Sequence, residues 1–223
     1  MANKKLFKAP NNISIKGSID LPGDKSIGIR SIIILSQSYG ISEVVNVSSG
    51  EDVQTAIAAI KKLKVQIHKI NHNHYRIFGL GIGFKKFKGI INFNNSGTTL
   101  RLLTGLLATS EVDVKLTGDL SLSKRPMRII PLMEKFFASF RPKNKNYLPI
   151  QITGYADSVQ SELVVNKPSA QMVSACILAG LNSYGITTIK APNLQRDHTE
   201  LMLQYLKYPC LLYTSDAADD WFC

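Results

Sequence analysis

The feature that most constrains this 223-residue chain is a layout that recurs three times. Each time, small polar residues open a helix: Asp24-Lys25-Ser26, Asn95-Ser96-Gly97-Thr98-Thr99 and Pro168-Ser169-Ala170-Gln171. Ser26 and Ser96 lie 70 positions apart, and Ser96 and Ser169 lie 73 apart. So regular a period predicts three copies of one supersecondary unit. A helix start offers unpaired N–H groups and a partial positive charge. Three equivalent starts can then line one surface and take a polyanionic small molecule.

Hydrophobic periodicity divides the units further. The first reads as a helix over 26–39 with Ile29, Ile32, Ile33 and Leu35 on its apolar face, stopped at Gly40. A strand over 42–47 follows, then a helix over 53–63 behind Ser49-Gly50-Glu51-Asp52, whose acids suit the helix dipole. Strands over 65–70 and 75–78 finish it. The second unit reads as helix 98–108, strand 112–116, a second helix 126–140 and strand 150–153. Pro126 suits the first turn of that second helix, whereas Pro131 should distort it. The third reads as helix 169–181, strand 187–190 and helix 197–206, after which the expected strand pair does not come. Residues 210–223 break the pattern, hold two of three cysteines and the single tryptophan, and carry three acids and no base. Residues 210–219 resemble the in-frame translation of a transposon adapter, so 210–223 is read as a non-native tail outside the fold.

With 44% hydrophobic and 19% charged residues, the chain has the composition of an ordinary globule. No apolar run reaches the roughly 18 residues of a membrane span, and no signal peptide is recognised. Cys176, Cys210 and Cys223 make neither a disulfide framework nor a metal cluster, which fits a reducing cytoplasm. His68, His72 and His74 read as a solvated hairpin. The net charge of +11 points to acidic partners, but its lysines are scattered, without the interleaved aromatic residues of a base-stacking surface.

Lys25, Ser26 and Arg30 make one candidate oxyanion site, and Gly97 with Arg101 a second, where a missing side chain lets an anion approach the backbone. Arg125 precedes Pro126, and Arg196 stands 71 positions later in the corresponding place. A guanidinium grips a carboxylate or phosphate through two parallel hydrogen bonds. For each of these the alternative is a plain helix cap or a solvated base. Gln171 has the same two readings. No Ser–His–Asp set, Walker loop or metal motif occurs. On their own, these residues describe a surface that binds.

Together, Leu21-Pro22-Gly23-Asp24-Lys25-Ser26 with Arg30, Asn95-Ser96-Gly97-Thr98-Thr99-Leu100-Arg101, Leu116-Thr117-Gly118-Asp119 with Arg125-Pro126-Met127, Ser169-Ala170-Gln171, and Arg196-Asp197-His198-Thr199-Glu200 resemble the 3-phosphoshikimate 1-carboxyvinyltransferase family. The match covers about residues 8–209, roughly the N-terminal half of a full enzyme. The resemblance implies an α/β fold of two domains, each of three repeated βαβαββ units, with the active site in the cleft between them. Residues 21–209 would form one domain, its third unit truncated. Residues 1–20, with a strand near 9–19, would pack with the other domain.

The reaction so implied protonates the methylene carbon of phosphoenolpyruvate and adds the 5-hydroxyl of shikimate 3-phosphate to C2; the tetrahedral intermediate then expels phosphate. Lys25 would touch both substrates and stabilise charge. Ser26, Arg30, Ser169, Ala170, Gln171 and Arg196 would hold shikimate 3-phosphate, while Gly97, Arg125 and Gln171 would face phosphoenolpyruvate. No metal or organic cofactor is implied, and a monomer without nucleic-acid or membrane partners is expected. The chain alone is expected to bind shikimate 3-phosphate weakly and turn nothing over.

The sequence departs from the family in three places. Gly28-Ile29 stands where Ser-His is common, Asn94 where Gly precedes Asn95, and Met172-Val173 where Val-Lys is usual. The sister family acting on UDP-N-acetylglucosamine pairs its lysine with asparagine and carries a loop cysteine in the second unit. Here Ser26 follows Lys25, and residues 1–175 contain no cysteine. A non-enzymatic basic protein that binds nucleic acid is the remaining alternative, set against the absence of a recognition motif.

Overall fold

Lys25–Leu35 forms helix α1, and its isoleucines decide where it sits. Ile29, Ile32 and Ile33 are fully buried and Ile34 nearly so, which leaves no solvent face along the second half. A helix apolar on every side belongs inside the domain. In this computed structural model, which describes residues 17–142, 146–166, 169–192 and 196–208, α1 packs against other helices rather than lying on the surface. It ends before the expected Gly40. Ser36 and Ser38 turn their hydroxyls onto the carbonyls of Ile33 and Leu35 at 2.6 and 2.8 Å, satisfying the last turn without further helix.

The chain continues through strand β1 (Tyr39–Val44), helix α2 (Glu51–Lys62), and the hairpin β2 (Gln66–Asn71) and β3 (His74–Leu80). These strands form an antiparallel sheet in the order β1-β3-β2, with β1 at one edge and its Tyr39 and Ile41 exposed. The expected histidine hairpin is present: His68 packs on Phe78, and His74 Nε2 lies 2.9 Å from a Glu43 carboxylate oxygen.

Strand β4 (Phe87–Asn92), absent from the sequence reading, runs parallel to β5 (Val112–Thr117) across helix α3 (Gly97–Ala108). The helix expected over 126–140 does not form. After the single turn α4 (Leu120–Ser123), that span holds a second single turn, α5 (Ile130–Met133), a 3-10 turn (Glu134–Phe136) and strand β6 (Ser139–Arg141). Pro131 lies in the first turn of α5, where its missing N–H costs nothing, but it bars the helix from continuing back toward Pro126. Phe137, in the left-handed region at φ 66°, ends the run and admits the strand. With β7 (Ile150–Thr153), the sheet order is β4-β5-β7-β6.

The last described part holds β8 (Glu162–Val164), helix α6 (Ala170–Gly180), β9 (Thr188–Lys190) and helix α7 (His198–Tyr205), with β8 parallel to β9. The molecule is thus a mixed α/β fold. Of the strand expected near 9–19, only 17–19 lie within the described residues, and these are not strand; residues 9–16 and the tail lie outside them. Among the described residues, no helix is long and apolar enough to cross a membrane.

Helices α3 and α6 pack closely in the core. A Cβ placed on Gly105 would lie 2.9 Å from the Ala175 carbonyl carbon and closer still to its oxygen, so the two backbones touch. Gly28 is the contrary case. A Cβ there would meet the methyls of Val47 and Val53 at 3.5 Å and the Ser48 backbone nitrogen at 3.9 Å, all ordinary contacts. Glycine inside a helix costs roughly 0.5–1 kcal/mol relative to alanine. Gly28→Ala is therefore expected to stabilise the protein by about that amount, read as a higher midpoint in urea with an unchanged slope.

Candidate functional site

The starts of α1, α2, α3 and α6 face one hollow of about 670 Å3, lined by Lys25, Glu51, Asp52, Asn95, Gly97, Thr98, Arg101, Arg125 and Gln171. Lys25, Gly97, Arg125 and Gln171, expected to meet phosphoenolpyruvate, are therefore brought together from three helix starts and the loop after α4. A second hollow of about 530 Å3 shares Arg101, Arg125 and Gln171 with the first, and adds Pro126, Arg128, Ser169 and Met172.

Local sequence explains the helix starts. Asp24 caps α1 by accepting from the Ile27 N–H at 2.7 Å, and Ser169 caps α6 by accepting from Met172 N–H at 3.3 Å. Ser96 behaves differently. Its hydroxyl pairs with that of Thr99 at 2.7 Å and makes no cap hydrogen bond to the backbone of α3. The loop before α3 turns at Asn94, which holds φ at 47°. Asparagine is among the few side chains that enter this region readily, so it can do the work of the glycine common at this position. Its side-chain amide donates to Thr55 Oγ1 at 3.2 Å, fixing the turn.

Within the hollow the polar groups hold one another. Arg101 donates through Nη1 to the Gly97 carbonyl at 3.1 Å and to Gln171 Oε1 at 3.0 Å, while Gln171 Nε2 donates to Thr98 Oγ1 at 2.9 Å. The orientation of the Gln171 amide is thereby set, oxygen toward the arginine. Arg125 donates through Nη2 to Asn95 Oδ1 at 2.9 Å and Ser121 Oγ at 3.1 Å, and Asn95 donates onward to Asp119 at 2.8 Å. Gly97 keeps this space open: a Cβ there would stand 2.8 Å from Arg101 Nη1 and 3.7 Å from Arg125 Nη1. Burial, with Arg125 and Arg128 nearby, lowers the Arg101 pKa below its ordinary value. Uncharged groups accept these hydrogen bonds from Arg101 and Arg125, and among the described residues neither guanidinium makes an ion pair, although Glu51 and Asp52 line the same hollow.

Lys25 is the exception, pairing with Asp52 at 2.7 Å while remaining more than half exposed. Asp52 was read as a helix-start charge and does lie in the first turn of α2, but it also tethers this lysine. Sequence reasoning had no signal for that pairing across 27 positions.

Arg30 takes a place the sequence did not indicate. It is only 2% exposed and lines neither hollow. It donates to Ser26 Oγ at 2.5 Å, Thr199 Oγ1 at 2.8 Å and Ser174 Oγ at 3.1 Å. Burial lowers its pKa, an effect partly offset by Glu200 and Asp24. Burial likewise raises the pKa of the Glu200 carboxyl, whose Oε2 has no hydrogen-bond partner among the described residues. Arg196 is exposed beside this group, and Ala170 opens α6 half-buried. Cys176 is buried in α6, its thiol pushed up to about 12 by desolvation. Among the described residues, no group of His, Cys, Asp and Glu could hold a metal ion.

Comparison with known proteins bears on the family and the fold. The sequence model of EPSP synthase (3-phosphoshikimate 1-carboxyvinyltransferase) matches residues 10–210. A 3-phosphoshikimate 1-carboxyvinyltransferase of Oceanobacillus iheyensis is 42% identical over 203 residues, which cover 89% of this chain and 47% of that protein. One from Novosphingobium aromaticivorans is 38% identical over 195 residues, 86% of this chain and 44% of its own. The solved structure of EPSP synthase from Acinetobacter baumannii superposes with a TM-score of 0.84 at 35% identity, covering 92% of this chain and 46% of that one. The chain thus spans a little under half the length of these relatives. On sequence and fold alike, it belongs to the EPSP synthase (3-phosphoshikimate 1-carboxyvinyltransferase) family.

Proposed function

We propose that this chain carries one wall of an enolpyruvyl-transfer site, binding shikimate 3-phosphate and phosphoenolpyruvate at the starts of α1, α3 and α6. The observation that carries the reading is the hollow in which Lys25, Gly97, Arg125 and Gln171 converge, with Arg101 behind them. Arg125 grips the planar carboxylate or the phosphate of phosphoenolpyruvate, the open backbone at Gly97 admits it, and Gln171 orients it. Lys25 leaves Asp52 to meet both substrates and stabilises negative charge as the tetrahedral intermediate forms and expels phosphate. Ser26, Ser169, Ala170, Gln171 and Arg196 hold shikimate 3-phosphate, together with Arg30.

The domain is best read as three βαβαββ units over 21–209. Supporting this, β4 and β8 each run parallel to the strand that follows the next helix, and the order β1-β3-β2 matches β5-β7-β6. Residues 1–20 belong with a second domain, and 210–223 with neither. The proposed setting is a cytoplasmic monomer without nucleic-acid or membrane partners. The remaining reacting groups, including the acids that move protons, come from the part of the relatives' length that these 223 residues do not span.

Calorimetric titration of the 223-residue chain with shikimate 3-phosphate tests the reading. One saturable site is expected, with no phosphate released when phosphoenolpyruvate is added. A titration without saturable heat would remove the binding claim, and turnover by this chain alone would remove the claim that the site is incomplete.

A further inference from the structure

Four hydroxyl and carbonyl groups surround Arg30 in a chain that runs beneath the site. Arg30 Nε–H donates to Thr199 Oγ1 at 2.8 Å, Thr199 donates to Ser174 Oγ at 2.7 Å, and Ser174 donates to the Ala170 carbonyl at 2.5 Å. Arg30 Nη2 donates to Ser174 as well, and Nη1 to both the hydroxyl and the carbonyl of Ser26. Ser174 thus accepts twice and donates once, the full capacity of a hydroxyl. Arg30, Ser174 and Thr199 are each at most 2% exposed. The guanidinium is a rigid planar fork, so partners on three sides fix its direction as well as its place.

From this geometry we infer that Thr199 and Ser174 are positioning residues of the binding site: acting through Arg30, they aim Ser26 and hold the first turn of α6 in register with α1. Neither lines the hollows. The chain of hydrogen bonds begins at Ser26 and ends at Ala170, two of the groups assigned to shikimate 3-phosphate, and its members come from α1, α6 and α7. Desolvated, the links are stronger than they would be in water, and each one removed leaves a buried donor unpaired. This rests on the proposed function for its ligand, but not for its geometry.

The test uses the 223-residue chain with Thr199→Val, which keeps the shape and loses the hydroxyl, and Thr199→Ser, which keeps the hydroxyl. At a temperature where circular dichroism shows all forms folded, Thr199→Val is expected to weaken shikimate 3-phosphate binding about tenfold or more, as loss of a hydrogen bond to a charged group does. Thr199→Ser should stay within about twofold. A lower melting temperature with unchanged affinity in Thr199→Val means a packing role only and overturns the inference. Should that variant not fold, Ser174→Ala takes its place, with weakened binding again required. If the unsubstituted chain does not bind the ligand, the proposed function fails by itself. The Arg30 Nε–H signal in a 15N spectrum then decides: slow exchange that is lost in Thr199→Val supports the link, and exchange unaffected by the substitution overturns it.

Discussion

Gly105→Ala is expected to lower the melting temperature by roughly 6–12 °C, through a loss of about 3 kcal/mol, the upper end of the usual overpacking cost. One methyl group is a small change, but at this position it meets backbone. The Ala175 carbonyl cannot rotate aside as a side chain would, so α3 and α6 must separate. Separation propagates toward the site, because Arg101 lies one turn before Gly105 and reaches Gln171 on α6. Binding should therefore weaken along with stability. Gly28→Ala supplies the control, being the same substitution in a buried helix with the opposite expected sign. A Gly105→Ala protein melting within about 2 °C of the parent would show that the helices have more freedom than their contact implies.

Arg125→Ala is expected to weaken phosphoenolpyruvate binding by about 10- to 100-fold, with little change in melting temperature. The side chain is exposed, and its hydrogen bonds among the described residues go to Asn95 and Ser121, so its removal opens no core cavity. What disappears is a charge-assisted fork aimed into the hollow. Arg125→Lys should fall between, since an ammonium keeps the charge and loses the planar pair. Ligand-observed NMR on the 223-residue chain would measure the series. Equal affinity in all three proteins would take Arg125 out of the site.

The helix starts were legible because their signals are local. Asp24 and Ser169 cap helices within three residues of themselves, and the isoleucines of α1 declare its burial by their spacing. What escaped is what depends on distant partners. Strand β4 contains a glycine and a lysine, and is a strand because β5 runs beside it on the far side of α3. β6 is three residues long and exists by pairing with β7, so its neighbourhood reads as more helix, although Pro131 bars extension back from α5 and Phe137 ends the run. The candidate site divides in the same way. Lys25, Gly97, Arg125 and Gln171 converge as their repeat positions suggest. The burial of Arg30 did not show, because two of the three hydroxyls that hold it lie 144 and 169 positions away.

The edge position of β1 has a bearing on how the polypeptide behaves at high concentration. Among the described residues β1 is bonded along one flank alone, and the other flank offers a row of free amides and carbonyls between Tyr39 and Val44. Such a row is a template for any extended peptide, a second copy included. Glu43 is the one charge in the strand, and Arg76 and His74 already engage it, so little remains there to repel a like strand. Whatever covers that flank in the living protein also protects it from clumping.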